Sequence, residues 1–213
     1  MATFEKGILG GFSGKVGTVV GVRWRGRNVM RSVPQHSTRP ASDKQREQRE
    51  KFRTVVQFLT PMSGLLTQYF GKTHDSRSPF NQATSYHLNN AVVPSGDAYA
   101  IDYPKVLISR GDLQGILGEG VTPQANQELL LTWTNNSDQG NAHATDKLIA
   151  VVYAPVFNSY QQFEGPAVRS DATATLALPP FMVGTQVQVW ASFATAQHGV
   201  AATSSYLGEV TVQ

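Results

Sequence analysis

The chain has 213 residues, a net charge of +3, 40% hydrophobic residues and no cysteine. That length suits one large or two small domains with a real core, and the lack of thiols excludes disulfides and thiolate metal sites. No run has the length of a transmembrane span or of a secretory signal's apolar segment. The expectation is synthesis in the cytoplasm, with release by lysis or by a route without a standard signal if the protein leaves the cell at all; its final compartment stays open.

The charge is unevenly spread. Residues 1–54 carry 12 lysines and arginines against 4 acids, a balance of +8 that leaves −5 for the remainder. A basic end and an acidic end point to contact with nucleic acid or another polyanion, or to head-to-tail contact between copies. A solvated basic face with no partner is the plain alternative.

In chain order, the stretch Gly7–Ser32 comes first. Alternation predicts a strand of about ten residues, roughly 33 Å long, that ends at Trp24. Val16, Thr18, Val20, Val22 and Trp24 fall on one side, and Lys15, Gly17, Val19, Gly21 and Arg23 on the other. Arg25-Gly26-Arg27-Asn28 reads as a turn and Asn28–Val33 as the returning strand. A two-stranded ribbon is marginal in water, so it must pack on something: the chain's own sheet, a neighbouring subunit or an anionic ligand. Gly17 and Gly21 at strand spacing suggest close approach of another backbone or ligand. The residues expected at a contact with a second copy are Gly17, Val19, Gly21, Val22, Trp24, Val29 and Arg31; the expected anion contacts are Lys15, Arg23, Arg25 and Arg27. Trp24 either stacks a base or aromatic partner or covers its own ribbon, and the second is favoured. Replacing Gly17 or Gly21 by a bulky residue is expected to block assembly and leave the fold intact.

Pro34–Pro40 is a linker. Ser42 and Gln45 match a capping box, and Asp43 suits a first helical turn. The helix they open is highly charged at first and then carries an apolar stripe, Phe52, Val55, Val56 and Leu59. Thr60-Pro61 breaks or kinks it. A second helix runs from Pro61 to Phe70, with Gly71 closing it; a third runs from Ser78-Pro79 to about Val92. Pro94-Ser95-Gly96-Asp97 is a turn.

From Tyr103 the pattern becomes β-like. Strands are expected at Lys105–Arg110, Ile116–Leu117, Glu128–Thr134, Lys147–Ala154, Tyr160–Phe163, Thr173–Leu178, Thr185–Thr195 and Ser204–Val212. Seven or eight short strands with turn signals between them read as an antiparallel sandwich. The run Leu148–Tyr153 is apolar on both faces and suits a central strand. The fold class is α+β: a basic glycine-rich β-hairpin arm (1–34), a linker and helical segment (35–100), and an antiparallel immunoglobulin-like β-sandwich (101–213). Whether hairpin and sandwich share one core stays open.

No catalytic constellation emerges, so the chain reads as a non-enzyme with no cofactor. Gly10–Val16 has the look of a phosphate loop, but its glycine spacing is short by one, Val16 stands where a magnesium-binding hydroxyl belongs, and no buried strand precedes it. His36, His74, His87, His143 and His198 are scattered without ligand spacing. His74-Asp75 and His143…Asp146 read as solvated loop groups. Asn135–Asn141 holds one carboxylate where a calcium loop needs several and reads as a plain hairpin loop; Asn135-Asn136-Ser137 matches a glycosylation sequon at chance level.

Two resemblances add to this. LLLTWT, with Trp133 on an early strand, and LPPFMVGTQVQVWASFATAQHG…GEVTV are similar to the fibronectin type III or immunoglobulin-like sandwich over about the last 85 to 110 residues; Val187 stands where that module usually has a corner tyrosine. Such sandwiches imply adhesion, spacing or assembly more often than chemistry. SGKVGTVVGVRWRGRNVMRS, a proline-rich link and QREKFRTVVQFL resemble an uncharacterised bacterial family with a glycine-rich hairpin, over roughly residues 7–110. That resemblance implies no activity.

The expected function is a self-assembling structural subunit of a filament, tube or virion part, a homo-oligomer or homopolymer that docks through its basic hairpin. The alternatives are a nucleic-acid-associated protein, as in a capsid whose basic arm faces the genome, and a carbohydrate- or surface-binding adhesin that uses the sandwich loops.

Overall fold

A computed structural model of the chain describes residues 3–4, 10–24, 26–35, 40–72, 77–96, 98–196 and 200–213. The chain divides after Gln45 into two compact units.

The first unit is a four-stranded antiparallel sheet in the order β1 (Thr3–Phe4), β2 (Phe12–Val16), β3 (Val19–Trp24), β4 (Arg27–Ser32). The single ten-residue strand expected there is two strands. Gly17 takes φ +58° and Gly17-Thr18 reverses the chain, so Val16 pairs with Val19. A positive φ at the first residue of the two-residue loop but not at the second, Thr18, matches the II′ class, for which glycine is the favoured first occupant. The turn moves Val16 to the face of Val19 and Lys15 to the face of Val20, its direct partner. The second turn is also tighter than expected: Gly26 has φ +79° and Arg27 already pairs with Trp24.

Helix α1 (Asp43–Leu59) begins at the expected capping box. Gln45 N–H donates to Ser42 Oγ at 3.4 Å and Ser42 N–H to Gln45 Oε1 at 3.2 Å. The apolar stripe starts a turn later than expected. Phe52 is 50% exposed, whereas Val55, Phe58 and Leu59 are buried. A 3-10 turn at Thr60–Met62 leads without a gap into α2 (Ser63–Tyr69). Helix α3 (Pro79–Asn90) starts at Ser78, whose Oγ accepts from Asn81 N–H at 3.3 Å.

A short hairpin, β5 (Val92–Ser95) and β6 (Ala98–Ile101), precedes the sandwich. The sandwich has one sheet in the order β11 (Thr173–Ala177), β8 (Glu128–Thr132), β7 (Gly120–Gln124), and a second in the order β10 (Ser159–Val168), β9 (Lys147–Ala154), β12 (Gln186–Ala194), β13 (Ser205–Thr211). Every pairing within them is antiparallel. The chain passes between the sheets after β8, β10 and β11, the connectivity of an immunoglobulin-like sandwich.

Strand β9 explains the layering. Leu148, Ala150, Val152 and Ala154 enter the core between the two sheets. Ile149, Val151 and Tyr153, on the other face, enter a second core with Val55, Phe58, Leu59, Leu65, Leu66 and Ala83 from the helices. Strand β12 repeats this, with Val189 and Phe193 inward and Trp190 outward. Phe58 sits against Tyr153 (5.4 Å between centroids), Tyr160 (5.7 Å) and Trp190 (6.4 Å). Burying such a side chain stabilises by about 1.5–3 kcal/mol. The helical segment and the sandwich therefore share one core, and residue 100/101 is not a boundary between compact units.

Residues 105–110, expected as a strand, form a 3-10 turn (Tyr103–Lys105) and an irregular buried segment. Side chains and a helix end satisfy its backbone instead. Leu107 N–H donates to His87 Nε2 (3.2 Å), Ile108 N–H to Ser204 Oγ (2.9 Å) and Arg110 N–H to Tyr69 O (3.0 Å). Ile116–Leu117 is likewise irregular, and β7, which carries Pro123, was not expected.

Asp146 is not a solvated loop group. It is 1% exposed and accepts from Arg169 Nε at 3.1 Å. Arg169, fully buried, also donates to Asn136 Oδ1 (2.6 Å), Gly115 O (3.2 Å) and Gln114 O (2.8 Å), and its guanidinium lies 4.1 Å from the Phe193 ring centre. The Asn135–Asn141 loop is thus pinned through Asn136. Burial lowers the proton affinity of Arg169, and the Asp146 carboxylate opposes that shift. Removing one partner leaves a buried charge uncompensated, which costs about 3–5 kcal/mol. Urea unfolding of Asp146→Ala is expected to show a loss of that size, and the double variant Asp146→Leu/Arg169→Met a much smaller one; equal losses would contradict the pairing.

His87 is buried and neutral. Its Nδ1 donates to Ala83 O at 2.7 Å while Nε2 accepts from Leu107 N–H, and burial pushes its pKa below the ordinary 6.5. The folded state therefore binds fewer protons than the unfolded one, so this stability is complete above about pH 6.5 and declines as pH falls toward the lowered value. Urea midpoints taken from pH 8 to pH 5 are expected to fall more steeply for the natural chain than for His87→Gln; parallel slopes would contradict this.

Candidate functional site

The residues singled out in the sequence lie on the N-terminal sheet, and strand register sorts them onto two faces. Val22 pairs with Val29, Trp24 with Arg27 and Val20 with Arg31, while Lys15 pairs with Val20. Directly paired residues share a face. One face therefore carries Lys15, Val20, Val22, Trp24, Arg27, Val29 and Arg31. The opposite face carries Val16, Val19, Gly21, Arg23 and Met30. Of the seven expected contact residues, Val22, Trp24, Val29 and Arg31 come together; Val19 and Gly21 lie behind them, and Gly17 is in the turn. Of the expected anion contacts, Lys15 and Arg27 share the first face and Arg23 is on the second; Arg25 lies outside the described residues.

The glycines play different parts from those expected. A Cβ at Gly17 would meet nothing within 4 Å, so Gly17 serves the turn rather than a close approach. A Cβ at Gly21 would lie 2.6 Å from the Phe12 ring and closer still to the Phe12 carbonyl oxygen. The backbone that approaches Gly21 is the chain's own, and an aromatic covers the strand glycine. A bulky residue at Gly21 would disturb the sheet itself.

The described side chains of the sheet are largely exposed. Val16 (47%), Val22 (36%), Trp24 (54%), Val29 (41%) and Met30 (69%) are all exposed, and Gly21 is the only buried residue among those described in this unit. The surroundings are cationic: residues 10–35 hold five lysines and arginines and no acid. The sign pattern follows the two units, with eight basic and two acidic residues in 1–45, and ten basic and thirteen acidic in 46–213.

The other features are chemically quiet. Phe12–Val16, part of the phosphate-loop look-alike, is a strand. Among the described residues, no three metal-ligating side chains come together and no helix is long and apolar enough to cross a membrane. A cleft of about 730 Å³ in the second unit is lined by Tyr69, Lys72, Gln82, Arg110, Asp112 and Thr203, among others. Tyr69 is committed there: its hydroxyl donates to Glu164 at 3.1 Å, and burial together with that carboxylate pushes its pKa up to about 12.

No curated protein matches the chain. Among solved structures, it is similar to the fn3 domain of the human collagen alpha-1(XX) chain at 12% identity, covering 46% of this chain and 84% of that one, with a TM-score of 0.34. It is similar to the fn3 domain of human contactin 1 at 11% identity, covering 49% and 83%, with the same score. The sandwich assignment itself rests on the strand order and the two cores. One family match covers residues 11–208, from the N-terminal sheet through the sandwich. The chain belongs to the family of unknown function DUF6266.

Proposed function

We propose that the protein is a self-assembling structural subunit, of the filament, tube or virion-part kind, whose N-terminal sheet docks on another copy. The observation that carries this is the exposure of apolar side chains on both faces of the sheet among the described residues. An apolar sheet face must be covered to be stable, and in the second unit both faces of the β9 sheet are. In the first unit Val22, Trp24 and Val29 on one face, and Val16, Val19 and Met30 on the other, remain exposed. The charge split supports a second copy as the cover, since a basic acid-free sheet is drawn to the acidic 46–213 unit of a neighbour.

A second reading is nucleic-acid association. It is favoured by one arrangement: Lys15, Arg27 and Arg31 share a face with Trp24, a cationic surface with an aromatic for stacking. An adhesin-like role for the sandwich loops has no comparable support.

Val22→Thr/Val29→Thr is a clean probe, because threonine keeps both the shape and the strand preference of valine. Light scattering over a concentration series is expected to show mass growing with concentration for the natural chain, with the midpoint at least tenfold higher for the variant. A single-chain mass at every concentration would contradict the proposal. For the second reading, protein purified at low salt would show an absorbance ratio at 260 and 280 nm above that of clean protein, falling as salt is raised; a clean ratio at low salt would count against it.

A further inference from the structure

The sandwich, in the second unit, carries another exposed apolar patch at one of its ends. Strand β9 leaves that end through the 3-10 turn Pro155–Phe157, and β12 enters there after the 3-10 turn Pro180–Met182. The two strands are neighbours, with Gln188 opposite Tyr153, so the turns lie side by side. Val156 is 73% exposed, Phe157 47%, Phe181 51% and Val183 47%. The two rings meet edge to face, 5.4 Å apart.

Three features mark this patch as built for contact. It is rigid: Pro155, Pro179 and Pro180 fix the turns, fully buried Met182 anchors the second one in the core, and Gly184 N–H donates to Val212 O at 2.9 Å. A preordered surface loses little entropy on binding. It is apolar, with large side chains that a solvated turn does not need. It is also uncharged: neither 154–163 nor 172–208 contains an Asp, Glu, Lys or Arg.

Charge decides what covers it. Two N-terminal sheets face to face would gather the cations of both copies, five from residues 10–35 of each, with no acid between them, and such like-charge contact costs several kcal/mol. Two sandwich ends face to face would incur no such cost but would leave both sheets bare. The end of one copy against one face of the next copy's sheet covers the patch and that face, here the one with Val22, Trp24 and Val29, and brings no like charges together. The sheet's arginines can also stack on Phe157 and Phe181.

Resting on the assembly reading above, we infer that the Val156/Phe157/Phe181/Val183 end of the sandwich is the docking site for the N-terminal sheet of a second copy. The contact is heterologous, so it propagates into a ring or an open filament.

The test uses two full-length variants, Phe157→Asn/Phe181→Asn and Val22→Thr/Val29→Thr, in light scattering alone and mixed one to one. Each alone is expected to stay at single-chain mass at concentrations where the natural chain assembles. The mixture is expected to give a two-chain species, because one variant keeps a sound sheet and the other a sound sandwich end. Val156→Asn, a milder change, is expected to weaken assembly about tenfold, and the unfolding midpoint in urea checks the fold of each. A two-chain mass for the sheet variant alone would show end-to-end pairing and overturn the inference. Natural-like assembly of the Phe157/Phe181 variant would also overturn it while leaving the assembly reading intact. A natural chain that never assembles would overturn both.

Discussion

Every apolar sheet face needs a cover, and the whole architecture follows from where the covers come from. Strands β9 and β12 are apolar on both faces. One face closes against the three-stranded sheet, and the other recruits the second half of α1, then α2 and α3. Phe58 ties helix to sheet through its ring contacts with Tyr153, Tyr160 and Trp190. The sandwich and helices are thus three layers on one central sheet, and the irregular 105–110 segment completes the second core with Val106 and Ile108.

The N-terminal sheet stands in contrast. It has the same alternation of valine and aromatic residues, yet Val16, Val22, Trp24, Val29 and Met30 are exposed among its described residues, and its charges are all of one sign over residues 10–35. One chain thus holds a central sheet covered on both faces and an N-terminal sheet whose described apolar side chains are exposed on both. The proposed contacts between copies would resolve that difference by extending the layering rule beyond a single molecule.

The sequence showed the parts of this that depend on local pattern. Lys147–Ala154 is legible to the residue because its two-sided apolarity has no other use than a central strand, and the Ser42–Gln45 box announces α1. The turn at Gly17-Thr18 is hidden because valines flank it and the alternation runs through it unbroken. Residues 105–110 look like a strand in composition, but their hydrogen-bond partners, His87 and Ser204, are distant in sequence. Arg169 gives no local signal at all, its partner Asp146 lying 23 residues away. In the candidate site, the residue types on the sheet were legible, but their faces were not, because one missed turn reassigns Lys15 and Val16. The Phe157/Phe181 patch could not be seen, since composition does not distinguish a buried phenylalanine from an exposed one.

The most direct measurement is electron microscopy of the negatively stained full-length protein at low and high salt. The account predicts regular filaments, tubes or rings with a repeat of one molecule. It also predicts that high salt weakens the pull between basic sheet and acidic body without abolishing contacts that are mainly apolar. Dispersed particles of single-chain size at both salts would contradict it.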